Sequence, residues 1–252
     1  MRFAVTGATG QMGGNIISKI SQNPDHELKA VFDKEKTETQ GLQVLNDDKI
    51  EKTLEDEDIG VLIDFTVPEA TLKYLEAAEN TETALVIGTT GFTHEEEQKI
   101  RDTAEKIPVL KASNFSLGIN VLRELVKEAV NQLEDYDIEI TETHHNRKTD
   151  SPSGTAKTIL KDIKKVKDEE IEEVYGRRGE SERKESEIGI HSLRAGDIKG
   201  SHEVKIAGNE EVLEIQHRSE SREVFASGAI QSAEWLAKQR EGFYTFKEVL
   251  KR

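Results

Sequence analysis

Five short, mainly apolar runs in the first half of the chain, at residues 3–6, 28–32, 61–65, 84–87 and from Val109 onward, restrict the fold more than any other feature. Each is too short for a buried helix and is rich in aliphatic and β-branched residues. Runs without polar alternation suit strands buried on both faces, the condition of a parallel sheet. Helical spacing fills the intervals. Met12, Ile16, Ile17 and Ile20 form one apolar stripe, and Leu72, Leu75 and Ala78 form another behind Pro68, a residue suited to a helix's first turn. Residues 94–106 read as a charged helix with a solvated face. The expected architecture is α/β, with a doubly wound parallel (Rossmann-like) sheet over residues 1–115.

Turns at the strand ends carry the first functional signal. Gly7, Ala8, Thr9, Gly10, Gln11, Met12 and Gly13 follow the first strand. Glycines spaced in this way allow a tight turn and a backbone close to a pyrophosphate, with a helix N-terminus behind it. A purely structural strand-to-helix turn is the alternative. Asp33 ends the second strand roughly 20 residues further on, where an acid binds ribose hydroxyls. Lys34 follows and could pair with a 2′-phosphate or simply with a surface acid. Gly88, Thr89 and Thr90 and then Ala112, Ser113, Asn114 and Phe115 lie at later strand ends, the ligand edge of a parallel sheet. Residues 34–57 read only as a variable connection with a short helix or strand.

The second half is organised around residues 139–156. Alternation from Asp137 to Thr143 predicts a half-buried strand that delivers His144 and His145 to its end. Asp150, Ser151, Pro152 and Ser153 form a turn-and-cap cluster before a helix marked by Ala156, Ile159, Leu160 and Ile163. The helix's first N–H groups lack partners within it, and Gly154 leaves them open to an anion. Taken singly, these residues also fit an ordinary cap and a solvated loop. The charge run at 161–173 reads as a solvated helix end. Residues 175–187 form a polar loop whose acids and lack of aromatic interleaving disfavour a nucleic-acid patch. Strands are predicted at 188–194, 202–207 and 212–217, most simply as an antiparallel meander, and residues 117–129 and 230–236 as helices.

The sequence has 252 residues, 35% hydrophobic, enough for a substantial core in two modest domains. Without cysteine it offers neither disulfides nor thiolate metal sites. A formal charge of −15 repels nucleic acid and anionic membranes at long range. The charge fits either adaptation to high salt or an ordinary acidic enzyme. The opening residues read as strand and turn rather than a leader, and no long apolar run occurs. A soluble cytoplasmic protein is expected.

Glu139, Ile140, Glu142, His144, His145, Lys148, Asp150 and the run Ser151, Pro152, Ser153, Gly154, Thr155 and Ala156 together resemble the signature of the dihydrodipicolinate reductase family. Arg194, Ala195, Gly196, Asp197, Ile198, Gly200 and His202 resemble a second stretch of that family. The resemblance implies reduction of a cyclic imine dicarboxylate by NADPH or NADH on the route to diaminopimelate and lysine. It implies a dinucleotide domain at 1–115 and 223–252 and a smaller α+β domain with a mixed open sheet at 116–222. By the same resemblance the second domain is expected to bind substrate and to form the homotetramer. Hinges are expected near Phe115 and Arg222. Gly7–Met12, Asp33, Lys34, Gly88–Thr90 and Ala112–Phe115 then contact the cofactor. His144 and Lys148 are the expected catalytic pair, and His145, Ser153, Gly154 and Thr155 the substrate-carboxylate contacts. Lys34 stands where NADPH-preferring members often carry Arg.

Three other readings compete. A related amino-acid or diamine dehydrogenase would share the dinucleotide half. A non-catalytic dinucleotide sensor would have no use for His144 and Lys148. A metal hydrolase on Glu142, His144 and His145 suffers because neighbouring strand residues point to opposite faces, and no metal is expected.

Overall fold

The computed structural model describes residues 1–34 and 38–251, so the part of the unread connection at 35–37 lies outside the described residues. In chain order the elements are β1 (Arg2–Thr6), α1 (Gln11–Gln22), β2 (Glu27–Phe32), β3 (Glu38–Thr39), β4 (Leu42–Gln43), α2 (Ile50–Asp56), β5 (Val61–Asp64), α3 (Pro68–Asn80), β6 (Ala84–Ile87), α4 (His94–Ala104) and β7 (Pro108–Lys111). They continue with α5 (Leu117–Gln132), β8 (Asp137–His144), α6 (Gly154–Lys167), β9 (Glu172–Tyr175), β10 (Glu187–Arg194), β11 (Ser201–Ala207), β12 (Val212–Arg218), α7 (Glu223–Leu236), β13 (Gly242–Tyr244) and α8 (Phe246–Leu250). Two compact units result, Met1–Leu117 with Glu223–Arg252, and Gly118–Arg222.

The first unit is built on a parallel six-stranded sheet of order β13-β7-β6-β5-β1-β2. Every residue of β5 and β6 is buried, as their mainly apolar character requires, with Asp64 at the end of β5 the one charged exception. Alternation along β1 sends Phe3 and Val5 toward one helical layer and Ala4 toward the other. The first layer holds Ile16, Ile17 and Ile20 of α1, Ala226, Ala229 and Ala233 of α7 and Phe246 of α8. The second holds Leu54 of α2, Tyr74 and Ala78 of α3 and Ile100 of α4. The connection after β2 contains a β3–β4 hairpin and α2, more structure than its polar sequence disclosed. Gly7 has φ of +66°, and a Cβ at Gly13 would stand 2.1 Å from the Gly7 carbonyl oxygen. Both positions of the turn therefore require glycine.

The second unit carries a mixed sheet of order β12-β11-β8-β10-β9. The expected meander is corrected: β11 and β12 form an antiparallel hairpin, but β8 lies between β10 and β11. The chain leaves β8 through α6, enters the edge strand β9 and then β10, which lies between β9 and β8 and runs parallel to both. The 195–200 loop then crosses the end of β8, with Ala195 N donating to His144 O at 2.9 Å, and β11 runs back on the far side. Ile138 and Ile140 of β8 pack with Leu122 and Val126 of α5 and Ile159 and Ile163 of α6.

One surface expectation also changes, and the apolar residues of α5 divide between core and surface. On α5 the buried stripe is Ile119, Leu122, Val126 and Val130, whereas Leu117, Val121 and Leu125 are exposed. In the charge run, Asp162 is buried and paired with Arg123, whose Nε lies 2.6 Å from its carboxylate. Among the described residues no helix is long and apolar enough to cross a membrane.

Candidate active site

The period-2 rhythm that buries Ile138 and Ile140 also buries the next residue in phase, Glu142, completely. A buried carboxylate is tolerable only with charge-assisted partners. Glu142 accepts from His144 Nδ1 at 2.5 Å, from Arg194 Nη1 and Nη2 at 2.9 and 2.7 Å, and from the Ser153 backbone N–H at 3.1 Å. Burial pushes its carboxyl up, but bonds from His144, Arg194 and Ser192 outweigh this and hold it at about 2. One acid thus joins the imidazole at the end of β8 to the cap of α6. It also fixes the His144 tautomer, with Nδ1–H toward Glu142, so that Nε2 is left for chemistry.

Ser153 caps α6, its Oγ accepting from Ala156 N at 3.2 Å and lying 3.0 Å from His202 Nε2. Its N–H and hydroxyl are both engaged inside the unit. A Cβ at Gly154 would meet nothing within 4 Å, so the helix mouth is open there. Lys148 Nζ pairs with Asp150 at 2.7 Å, and this bond draws the Asp150 carboxyl below the usual carboxylate range. His145 Nε2 lies 2.9 Å from Arg222 Nη2. Burial, with Arg147 and Arg222 adding positive charge, pushes the His145 imidazole down. The two histidines thus turn to different partners. Among the described residues no group of three His, Cys, Asp or Glu side chains could hold a metal.

In the first unit the remaining candidates lie beyond the C-terminal ends of the parallel strands. Gly10 precedes α1 without a side-chain cap. Asp33 accepts from the Thr9 N–H and hydroxyl at 2.9 and 2.7 Å, which binds the glycine turn to the end of β2. Lys34 and Thr90 are exposed and Gly88 is half-buried. Thr89 is buried. Asn114 closes a local turn by accepting from Ser116 N at 2.8 Å. The Phe115 ring packs between Phe65 and Phe246 in the core, and Met12 packs at the edge of the same cluster.

Residues 1–115 match the family model described as dihydrodipicolinate reductase, N-terminus, and residues 118–250 match that of its C-terminus. The chain belongs to the dihydrodipicolinate reductase family. A 4-hydroxy-tetrahydrodipicolinate reductase of Haloarcula marismortui is 44% identical over 250 residues, 99% of this chain and 98% of that protein. One from Caldanaerobacter subterraneus subsp. tengcongensis is 42% identical over 253 residues, 100% of this chain and 99% of that protein. The structure of a dipicolinate-bound dihydrodipicolinate reductase from Paenisporosarcina sp. TG-14 superposes with a TM-score of 0.83 at 26% identity, covering 97% of each chain.

In the reductase reading of the sequence Glu142, Arg194 and His202 have no role in the chemistry, and Arg222 only marks a hinge. The first three sit inside the two signature stretches, so a signal was present. Their convergence depends on β8 separating β10 from β11.

His202 is buried and its ring packs edge-on to that of His144, with centroids 5.1 Å apart. Burial, reinforced by His144, lowers its pKa to about 4. A histidine depressed in the folded state takes up a proton on unfolding between pH 6.5 and 4, so stability falls as pH drops through that window. By this linkage His202 alone costs about 2 kcal/mol between pH 7 and pH 5. Urea unfolding at the two pH values is expected to show the loss, and His202→Gln to reduce it.

Proposed function

We propose that the chain is a 4-hydroxy-tetrahydrodipicolinate reductase, producing tetrahydrodipicolinate for diaminopimelate and lysine synthesis with NADPH or NADH. The observation that carries this reading is the Glu142–His144 pair joined through Ser153 to the open end of α6, with Lys148 on the intervening loop. That arrangement combines a proton donor, an ammonium and an anion-binding helix end within one unit.

The first unit's residues fit a dinucleotide. Gly7, Ala8, Thr9, Gly10, Gln11 and Met12 lead into the uncapped start of α1, which suits a pyrophosphate. Asp33, already bonded to Thr9, offers a carboxylate to ribose hydroxyls, and exposed Lys34 offers a charge to a 2′-phosphate. Both coenzymes are accepted in this reading. Gly88, Thr89, Thr90, Ala112, Ser113, Asn114 and Phe115 frame the nicotinamide side, Phe115 through its backbone.

When bound, the reduced dinucleotide would supply a hydride to a ring carbon of the conjugated imine that forms as the 4-hydroxyl leaves as water. Negative charge then develops at the far end of the conjugated system, where a positioned acid lowers the barrier. His144, carrying a proton on each ring nitrogen with its Nδ1–H held by Glu142, gives its Nε2 proton there and returns to the Nδ1–H tautomer. Lys148 stabilises the developing charge and one carboxylate, and Asp150 orients its ammonium group. Gly154 and Thr155 at the start of α6, together with His145, hold a substrate carboxylate. Ser153 keeps that helix end formed. The enzyme works in the cytoplasm as a homotetramer assembled through the second unit's sheet.

Dipicolinate, a planar dicarboxylate that cannot accept the hydride as the imine does, tests the substrate half by calorimetric titration. Saturable binding is expected, competitive with the imine. His145→Ala is expected to weaken it by about tenfold or more, since a hydrogen bond to a charged group contributes ~1.5–3 kcal/mol. Failure of the unaltered protein to bind dipicolinate would overturn the assignment.

A further inference from the structure

The end of β5 holds a carboxylate that the mechanism above does not use. Asp64 is fully buried in the first unit, and four hydroxyls converge on it. Thr6 and Thr66 bond Oδ1, each at 2.6 Å, while Thr71 and Thr89 bond Oδ2 at 2.6 and 2.9 Å. A carboxylate offers about four acceptor sites, so two hydroxyls on each oxygen saturate it. Burial pushes the Asp64 carboxyl up, and the four threonine bonds oppose that.

Thr6 and Thr89 belong to the segments of proposed cofactor contacts, and Thr66 is bonded to one of them. Thr6 immediately precedes Gly7, and Thr89 lies in the turn after β6. Thr66 extends β5, its N–H donating to Thr89 Oγ1 at 2.9 Å, and Thr71 anchors α3. The residue between Asp64 and Thr66 reaches both turns. A Cβ on Gly7 would stand 2.5 Å from the Phe65 carbonyl oxygen, and one on Gly88 would stand 2.1 Å from the Phe65 ring. Asp64–Thr66 is therefore the surface against which both glycine-containing turns are moulded. Whatever shifts Asp64 shifts both.

We propose that Asp64 is a positioning residue for the dinucleotide, holding the Gly7 turn and the Gly88–Thr89 turn in the shape that receives the cofactor. The inference rests on the reading of the first unit as the NADPH- or NADH-binding unit. It makes Asp64 a determinant of cofactor affinity while the proton-transfer groups stay in the second unit.

Asp64→Asn keeps the shape but replaces one acceptor oxygen by an amide donor, leaving two of the four hydroxyls without an acceptor. The expected result is a rise of about tenfold or more in the Kd and KM for NADPH. The KM for the imine, the Kd for dipicolinate and kcat at saturating NADPH should stay within about threefold of the unaltered enzyme. A variant that merely loosened the fold would move all of these together. Should Asp64→Asn fail to fold, Thr6→Val removes a single hydroxyl from the same acceptor, with an expected rise in the NADPH Kd of about threefold. An unchanged NADPH Kd in a folded Asp64→Asn or Thr6→Val protein would overturn the proposal. If the unaltered protein binds neither dinucleotide, the functional reading fails instead, so the two failures are distinguishable.

Discussion

Lys148→Ala is expected to lower kcat by about 10²–10⁴ and to leave the Kd for NADPH unchanged. Lys148 sits on the loop between β8 and α6, its side chain about one-fifth exposed and paired with Asp150. Removing it takes away the cation that meets a carboxylate and the developing charge. Asp150 is then left without its bonded cation next to a dicarboxylate site, so dipicolinate affinity should fall as well. His144→Ala should produce a similar loss of kcat without that second effect, because its Nδ1 is bonded to Glu142 and not to Asp150. Steady-state rates, with fluorescence titration of NADPH, separate the two contributions. Loss of NADPH binding in either variant would show that the site belongs to the wrong unit.

The second large effect concerns Glu142. In Glu142→Ala the Arg194 guanidinium loses both of its carboxylate bonds, and the His144 ring and Ser153 N–H lose their acceptor. Breaking a buried ion pair from one side costs about 3–5 kcal/mol, and the second unit is expected to lose that much in denaturant unfolding. Glu142→Gln separates chemistry from stability. A glutamine of the same shape can keep its oxygen toward Arg194 Nη2 and Ser153 while its amide faces His144 and gives up the Arg194 Nη1 bond, reversing the tautomer. By analogy with acid-to-amide changes in catalytic triads, kcat should fall by about 10²–10⁴ in a protein that still folds. Full activity in Glu142→Gln would show that the His144 tautomer has no part in the reaction.

Sequence reached the first unit well because its information is local. Strands β5 and β6 are four-residue runs with every side chain buried, and Pro68 opens α3 where its fixed φ places it. The second unit was legible strand by strand but not in its order. Whether β10 neighbours β8 or β11 depends on pairing between distant residues, to which the alternation within each strand is blind. Helix α5 shows the same limit. It carries two apolar stripes, and only the packed structure distinguishes the covered one through Leu122 and Val126 from the exposed one through Val121 and Leu125. The β3–β4 hairpin was lost because two-residue strands carry no periodicity.

At the site, residue types in a fixed order pointed to His144, Lys148 and the start of α6. The support behind them came from elements about 50 residues downstream in the chain, Arg194 on β10 and His202 on β11. Asp64 was hidden for another reason. An aspartate closing an apolar strand reads as a strand terminus, and nothing local announces four threonine hydroxyls gathered from three other segments and its own.

The most direct test of the account is the loss of reduced-dinucleotide absorbance when the purified protein is given NADPH or NADH and the imine generated in place from pyruvate and aspartate semialdehyde by its synthase. Rapid oxidation that depends on the synthase and disappears in Lys148→Ala is the expected result, and the ratio of the two coenzyme rates reports what Asp33 and Lys34 select. Tight binding of either dinucleotide with no imine-dependent oxidation would contradict the account and make the chain a dehydrogenase for a different imine.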